Sequence, residues 1–145
     1  MAAFEIDGIL PIVPTPFLPD GSVDRAALDR LLGFAVSARV CGVCLPAYAS
    51  EFYKLRDGER RDLVLQAIGT MHGRLPIVAQ VNHVSTAYVV ETARDLERAG
   101  AAAIAVAVPR VFGLPERDVL RYFDRILKAI TVPLIIQDFN PGGQP

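Results

Sequence analysis

With 145 residues, 52% hydrophobic content and a mean hydropathy of +0.33, the chain carries enough apolar material for one domain with a sizeable core. Lys and Arg number 15 against 16 Asp and Glu, for a net charge of −1, and the basic residues are scattered; this excludes the basic face of a nucleic-acid or membrane-surface protein. No apolar run reaches the ~20 residues of a membrane span and no leader pattern opens the chain, so a reducing cytoplasm is the expected compartment.

The first predicted strand covers 8–14, an apolar run that leaves the sheet at Pro14-Thr15-Pro16. After a turn at Pro19-Asp20-Gly21-Ser22, Asp24 is placed to cap a helix over 25–39 whose Leu28, Leu31, Leu32, Ala35 and Val36 share one face. Gly42 leads into a second strand, Val43 to Pro46, followed by a loop from Ala47 to Arg56 and a helix over 57–71 with Leu63, Val64, Ala67, Ile68 and Met71 inward. A third strand covers 76–82, and Ser85 caps a helix over 86–99 that stops before Gly100, a residue suited to a left-handed terminator. The fourth strand is Ala102 to Val108. Pro115 suits the first helical position, and that helix runs to about Ala129 with Leu120, Phe123, Ile126, Leu127 and Ile130 inward. A fifth strand covers 133–138, and the tail from Asn140 to Pro145 reads as a loop.

The two cysteines, Cys41 and Cys44, have a CxxC spacing that invites a redox or metal reading. Cys44 lies inside an apolar run, no second ligand pair exists, and His72 and His83 belong to other segments. Buried or half-buried structural thiols are therefore expected, with no metal and no cofactor.

Four βα units and one further strand, repeating at about thirty residues, leave two α/β architectures open. A doubly wound five-stranded sheet would be complete at this length, whereas a (β/α)8 TIM barrel would be little more than half built. The glycine fingerprint of a dinucleotide fold is absent after the first strand, and so are the acidic residues and lysine of a phosphate receiver.

Particular segments resemble a known family. Ile12-Val13-Pro14-Thr15-Pro16-Phe17, Asp20-Gly21-Ser22-Val23-Asp24, Gly42-Val43 followed by Ser50-Glu51-Phe52, Leu75-Pro76-Ile77-Val78-Ala79, Ala99-Gly100-Ala101 and Pro133-Leu134-Ile135-Ile136 are similar, in order and spacing, to the front of the dihydrodipicolinate synthase and N-acetylneuraminate lyase family. The resemblance implies a (β/α)8 TIM barrel, of which residues 1–145 would be the N-terminal portion of a single domain carrying about five strands and four helices. It also implies a lyase or aldolase acting on pyruvate or a related small 2-oxo acid through a lysine Schiff base, and a homo-oligomer, dimer or tetramer, without nucleic-acid or membrane partners. A protonated imine is an electron sink that permits carbon–carbon or carbon–oxygen bond changes beside it. The only lysines are Lys54 and Lys128, neither at the family position on a sixth strand, so the Schiff-base lysine is expected beyond residue 145.

The sequence departs from the family at its catalytic motifs. Where two threonines bind the substrate carboxylate and relay a proton, the chain has Tyr48 and Ala49, ahead of Ser50 and the retained acid Glu51. The tyrosine that approaches the imine aligns with Gln137, and a tyrosine pair aligns with Arg110 and Val111. An amide donates and accepts hydrogen bonds but supplies no acidic proton near neutral pH. Candidate substrate contacts are thus Thr15, Tyr48, Ala49, Ser50, Glu51 and Arg110, with Gln137 at the catalytic position. Each has a second reading: Thr15 capping its own turn, Tyr48 packing a loop or interface, Glu51 accepting backbone N–H groups, and Arg110 as a solvated or subunit-contact charge. Asn82 and His83 follow the third strand and can add polar contacts. Of Gln137 and Asp138 only one can face the barrel interior, and Ile135 favours Gln137. These departures support an alternative, a non-catalytic relative that binds a small acid or serves assembly. A third is a half barrel that pairs with another half.

Overall fold

The computed structural model describes residues 4–110 and 113–138. Four parallel strands, β1 (Val43–Leu45), β2 (Ile77–Gln80), β3 (Ala103–Ala107) and β4 (Leu134–Gln137), lie side by side in the order β1-β2-β3-β4. They alternate with α1 (Arg25–Ser37), α2 (Asp57–Met71), α3 (Thr86–Ala99) and α4 (Glu116–Leu127).

All four helices pack on one face of this sheet. Leu28 and Leu32 of α1, Leu63 and Val64 of α2, Val89 and Leu96 of α3 and Phe123 and Ile126 of α4 form one core with Val43, Ile77, Ile104 and Val106. The opposite face carries a second cluster, Cys44, Val78, Ala103 and Ala105, covered by Phe4, Leu10 and Ile12 and not by any helix. A doubly wound sheet needs helices on both faces and a reversal of strand order; sequential parallel strands with helices on one face are the wall of a barrel seen from inside. The fold is therefore α/β, part of a (β/α)8 barrel, and the small-residue face is the barrel interior.

The expected first strand forms only in outline. Ile12 makes an isolated parallel bridge to Cys44, and the segment follows β1 through Cys41 N–H to Ile9 O, Cys44 N–H to Pro11 O and Val13 N–H to Cys44 O. Pro11, Pro14 and Pro16 supply no N–H, so a continuous ladder cannot form, and four regular strands are described where five are expected.

Asp24 caps α1 by accepting the Ala27 N–H at 2.8 Å, Ser85 caps α3, and Gly100 ends α3 at φ 111°, as expected. Gly42 is enclosed: a Cβ there would lie 2.9 Å from the Pro76 carbonyl oxygen and 3.1 Å from Leu10. Two features of α4 differ from expectation. Pro115 is the cap, with the helix starting at Glu116 and ending at Leu127. Its buried side chains are Tyr122, Phe123 and Ile126, whereas Leu120 and Leu127 are exposed. A stripe through 119, 122, 123 and 126 is the one that meets α3 and the sheet, and Leu120 and Leu127, a heptad apart, flank it. The expected tail loop from Asn140 to Pro145 lies outside the described residues.

Candidate functional site

The loop after β1 is fastened to the segment before α1 by one buried hydroxyl. Ser50 Oγ donates to Val13 O at 2.5 Å and accepts the Ala47 N–H at 2.9 Å, while Thr15 Oγ1 donates to Ser50 O at 2.6 Å. Ser50 is fully buried. Thr15 thus binds a carbonyl 35 residues away rather than capping its own turn, and both residues are tied into the frame of the barrel mouth. The loop itself is two short 3-10 turns, Tyr48–Ser50 and Phe52–Lys54, hinged at Glu51 in the left-handed region at φ 58°. Arg60 of α2 holds the second turn from below: its Nε donates to Phe52 O and Leu55 O, and its guanidinium lies 4.8 Å from the Phe52 ring centre.

On the inner face, at the carboxyl ends of the strands, three amides meet. Gln80, buried at the end of β2, donates from Nε2 to Gln137 Oε1 at the end of β4 and to Asn82 Oδ1 at 3.3 Å. These long side chains reach one another across β3 because Ala105 and Ala107 occupy the intervening inner-face positions; Gln80 registers with Ala105 and Gln137 with Ala107. Asn82 Oδ1 also accepts the Ala107 N–H at 2.8 Å, leaving its buried Nδ2 without a partner among the described residues. The Cys44 thiol contacts Gln80 Oε1 at 3.5 Å, and burial pushes its pKa up to about 12, so it stays a thiol. Gln137 faces the interior, as its shared face with Ile135 suggests; Ile135 registers with Ala105 and packs against the inner-face cluster.

A cleft of about 230 Å³ opens beside this cluster, lined by Tyr48, Phe52, Asn82, His83, Ala107 and Arg110 among others. Tyr48 packs edge-on against Phe52, with ring centres 5.0 Å apart. His83 Nδ1 accepts the Ser85 N–H at 2.8 Å, and its carbonyl accepts the Tyr122 hydroxyl at 2.9 Å; Tyr122, buried, has its pKa raised to about 12 by desolvation. Arg110 is paired with Asp138 across the ends of β3 and β4. Glu51 meets Lys54 at 3.0 Å near the surface, so the loop's shape is held by Ser50 and not by a carboxylate accepting backbone donors. Ala49 is exposed and has no polar atom beyond its backbone. Val111 lies outside the described residues.

Both lysines are surface groups in ion pairs, Lys54 with Glu51 and Lys128 with Asp124 at 2.7 Å. Among the described residues, no three His, Cys, Asp or Glu side chains gather as a metal site, and no helix is long and apolar enough to cross a membrane. Both thiols are free, Cys44 buried and Cys41 half-buried with its Sγ 3.2 Å from Ile9 O.

The profile of the dihydrodipicolinate synthetase family matches residues 5–142. The chain belongs to the dihydrodipicolinate synthetase family. An L-2-keto-3-deoxyarabonate dehydratase of Azospirillum brasilense is 30% identical over 139 residues, which are 94% of this chain and 45% of that protein. A 4-hydroxy-tetrahydrodipicolinate synthase of Bartonella quintana is 30% identical over 137 residues, 94% of this chain and 46% of its own length. YagE of E. coli K12, a dihydrodipicolinic acid synthase family protein solved in complex with pyruvate, superimposes with a TM-score of 0.87 at 27% identity, over 91% of this chain and 44% of that one. The chain thus spans a little under half the length of these members of the dihydrodipicolinate synthetase family.

The residue that sequence reasoning leaves unnamed is Gln80, which joins Cys44, Asn82 and Gln137. Its signal is a polar side chain closing the apolar run 77–79 at the carboxyl end of a strand. In a strand buried on both faces, such a residue belongs to a site or to a hydrogen-bonded network.

Proposed function

We propose that residues 1–145 are part of a single barrel domain of a 2-oxo-acid lyase or aldolase, a cytoplasmic homo-oligomer whose Schiff-base lysine lies beyond residue 145. What carries this reading is membership of the dihydrodipicolinate synthetase family together with Gln80, Asn82 and Gln137 gathered on the inner face at the carboxyl ends of the strands, where barrel enzymes do their chemistry. In the proposed reaction the neutral lysine amine attacks the keto carbon, water leaves, and the resulting iminium accepts the electron pair released when a bond beside it breaks. Gln137 orients the substrate but transfers no proton, so another group or water performs that step. Tyr48 and Arg110, on the cleft beside the amides, are the proposed contacts for substrate oxygens, with Thr15, Ser50, Ala49 and Glu51 forming and shaping the loop that carries Tyr48.

The test is borohydride reduction of the full-length protein with pyruvate and a panel of 2-oxo acids, read by intact mass. A stoichiometric adduct is expected, and its absence with every acid would sink the covalent mechanism. The replacement of the relay hydroxyls by Ala49 and Gln137 favours a second reading, a non-catalytic member that binds a small acid. Thermal stabilisation by 2-oxo acids without adduct or turnover would select it.

A further inference from the structure

We propose that Gln80 is a positioning residue that fixes the polarity of the Gln137 amide, so that Gln137 and Asn82 present the barrel mouth with N–H donors for an oxygen acceptor on a 2-oxo acid. The proposal rests on the reading of the chain as part of a 2-oxo-acid enzyme and adds how that site recognises its substrate.

The polarity follows from fixed ends. A carboxamide can be turned over, exchanging donor for acceptor, unless a neighbour has only one role. The Ala107 backbone N–H can only donate, so the Asn82 atom it meets at 2.8 Å is Oδ1. The Gln80 atom 3.3 Å from that oxygen must then be Nε2, since two carbonyl oxygens would repel. At the other end of the same amide, Gln80 Oε1 faces the buried Cys44 thiol, a donor while protonated. With both ends set, Gln80 Nε2 has its second hydrogen for Gln137, and the Gln137 atom it meets is Oε1. Every acceptor in the chain of amides is therefore occupied. The groups left over are both donors: Gln137 Nε2, which has no partner among the described residues, and Asn82 Nδ2, a buried atom with none either.

Of the two, Asn82 Nδ2 is the buried one; an unsatisfied buried donor destabilises a fold, and natural proteins retain it where a ligand or ordered water completes it. Donors without acceptors select an oxygen bearing lone pairs and no hydrogen to give, the description of a carboxylate or keto oxygen. A phenol in the same place would titrate and could pass a proton; an amide does neither, so binding through Gln137 is independent of pH across the neutral range.

The experiment is isothermal titration of the full-length protein with pyruvate, comparing wild type, Gln80→Leu, Gln137→Leu and the double variant. Each single variant is expected to bind pyruvate about tenfold more weakly, the scale of one hydrogen bond to a charged acceptor, and the double variant no more weakly than Gln137→Leu alone, because Gln80 acts through Gln137. Unchanged affinity in either single variant, or losses that multiply in the double, would overturn the proposal. So would a Gln80→Leu protein that melts at lower temperature yet binds pyruvate as wild type, the mark of a purely structural amide. If Gln80→Leu does not fold, Gln80→Met, close to glutamine in volume, takes its place in the cycle. Borohydride trapping separates the two claims: an adduct with unchanged variant affinities overturns only the positioning role, weakened variants without an adduct overturn only the covalent step, and a wild type that binds no pyruvate overturns both.

Discussion

Ser50 offers the sharpest test of how the barrel mouth is built. Its hydroxyl is the sole partner, among the described residues, of both the Val13 carbonyl and the Ala47 N–H, and the residue has 0% exposure. In Ser50→Ala the Cβ remains as a methyl group, so little cavity forms, but two buried backbone groups lose their partner where water cannot replace it. Stranding a buried donor or acceptor costs ~1–3 kcal/mol, so with two groups stranded a loss of about 2–6 kcal/mol is expected. Urea unfolding of the full-length protein followed by far-UV circular dichroism measures it from the shift in midpoint at constant slope. Thr15→Val, which removes one part-buried bond to the Ser50 carbonyl, should cost only ~1 kcal/mol. A Ser50→Ala loss no greater than that of Thr15→Val would refute the claim that this hydroxyl fastens the loop.

Other measurements probe separate elements. Of Cys41 and Cys44, native protein at pH 8 should label at Cys41 while Cys44, buried and with its pKa near 12, stays unmodified until denaturant is added; prompt labelling of Cys44, read by peptide mass, would contradict its place on the inner face. Gly42→Ala should destabilise by ~1–3 kcal/mol in the same urea assay, because Leu10 can move from the new methyl but the Pro76 carbonyl, which accepts the Val43 N–H, cannot. Glu97 ties α3 to the turn before β4, accepting the Thr131 N–H at 2.8 Å, the Thr131 hydroxyl at 2.5 Å and the Val132 N–H at 3.1 Å. Partial burial works against its charge, but these bonds from Thr131 and Val132 and the nearby Arg98 hold its pKa below the ordinary 4.5. A lowered folded-state pKa gives stability that is present above the unfolded value and lost as pH falls through the folded one. Glu97→Gln should therefore cost about 1 kcal/mol at neutral pH and almost nothing once both forms are protonated. Equal losses at both pH values would contradict it.

Much of the architecture is legible in the sequence because apolar runs and helix-length stretches alternate at a regular spacing. Asp57–Met71 falls where its apolar residues put it, Thr86–Ala99 where its apolar spacing and the Ser85 cap put it, and Gly100 ends the latter at a φ of 111°. The first strand is less legible. Its apolar run is real, but whether three prolines leave a ladder or an isolated bridge depends on which N–H groups the neighbour needs. On α4 the sequence offers two overlapping apolar stripes, and only packing against α3 and the sheet selects Tyr122 over Leu120 and Leu127. At the site, Gln137 could be placed inward from Ile135, and Gln80 is marked only as a polar residue closing an apolar strand, with nothing to name its partners. Its role arises from alanines at 105 and 107 on a different strand, which leave room for two glutamines to meet. The Arg110 pairing with Asp138 likewise depends on the adjacency of β3 and β4, which lie 28 residues apart at these positions.

The covalent reading stands or falls on where pyruvate attaches. Full-length protein reduced with borohydride in the presence of pyruvate, digested and mapped by peptide mass, should carry the reduced adduct on a lysine beyond residue 145 and leave Lys54 and Lys128 unmodified, since both are surface ammonium groups in ion pairs. No adduct at any lysine, or one confined to Lys54 or Lys128, would contradict a Schiff-base enzyme built on this barrel.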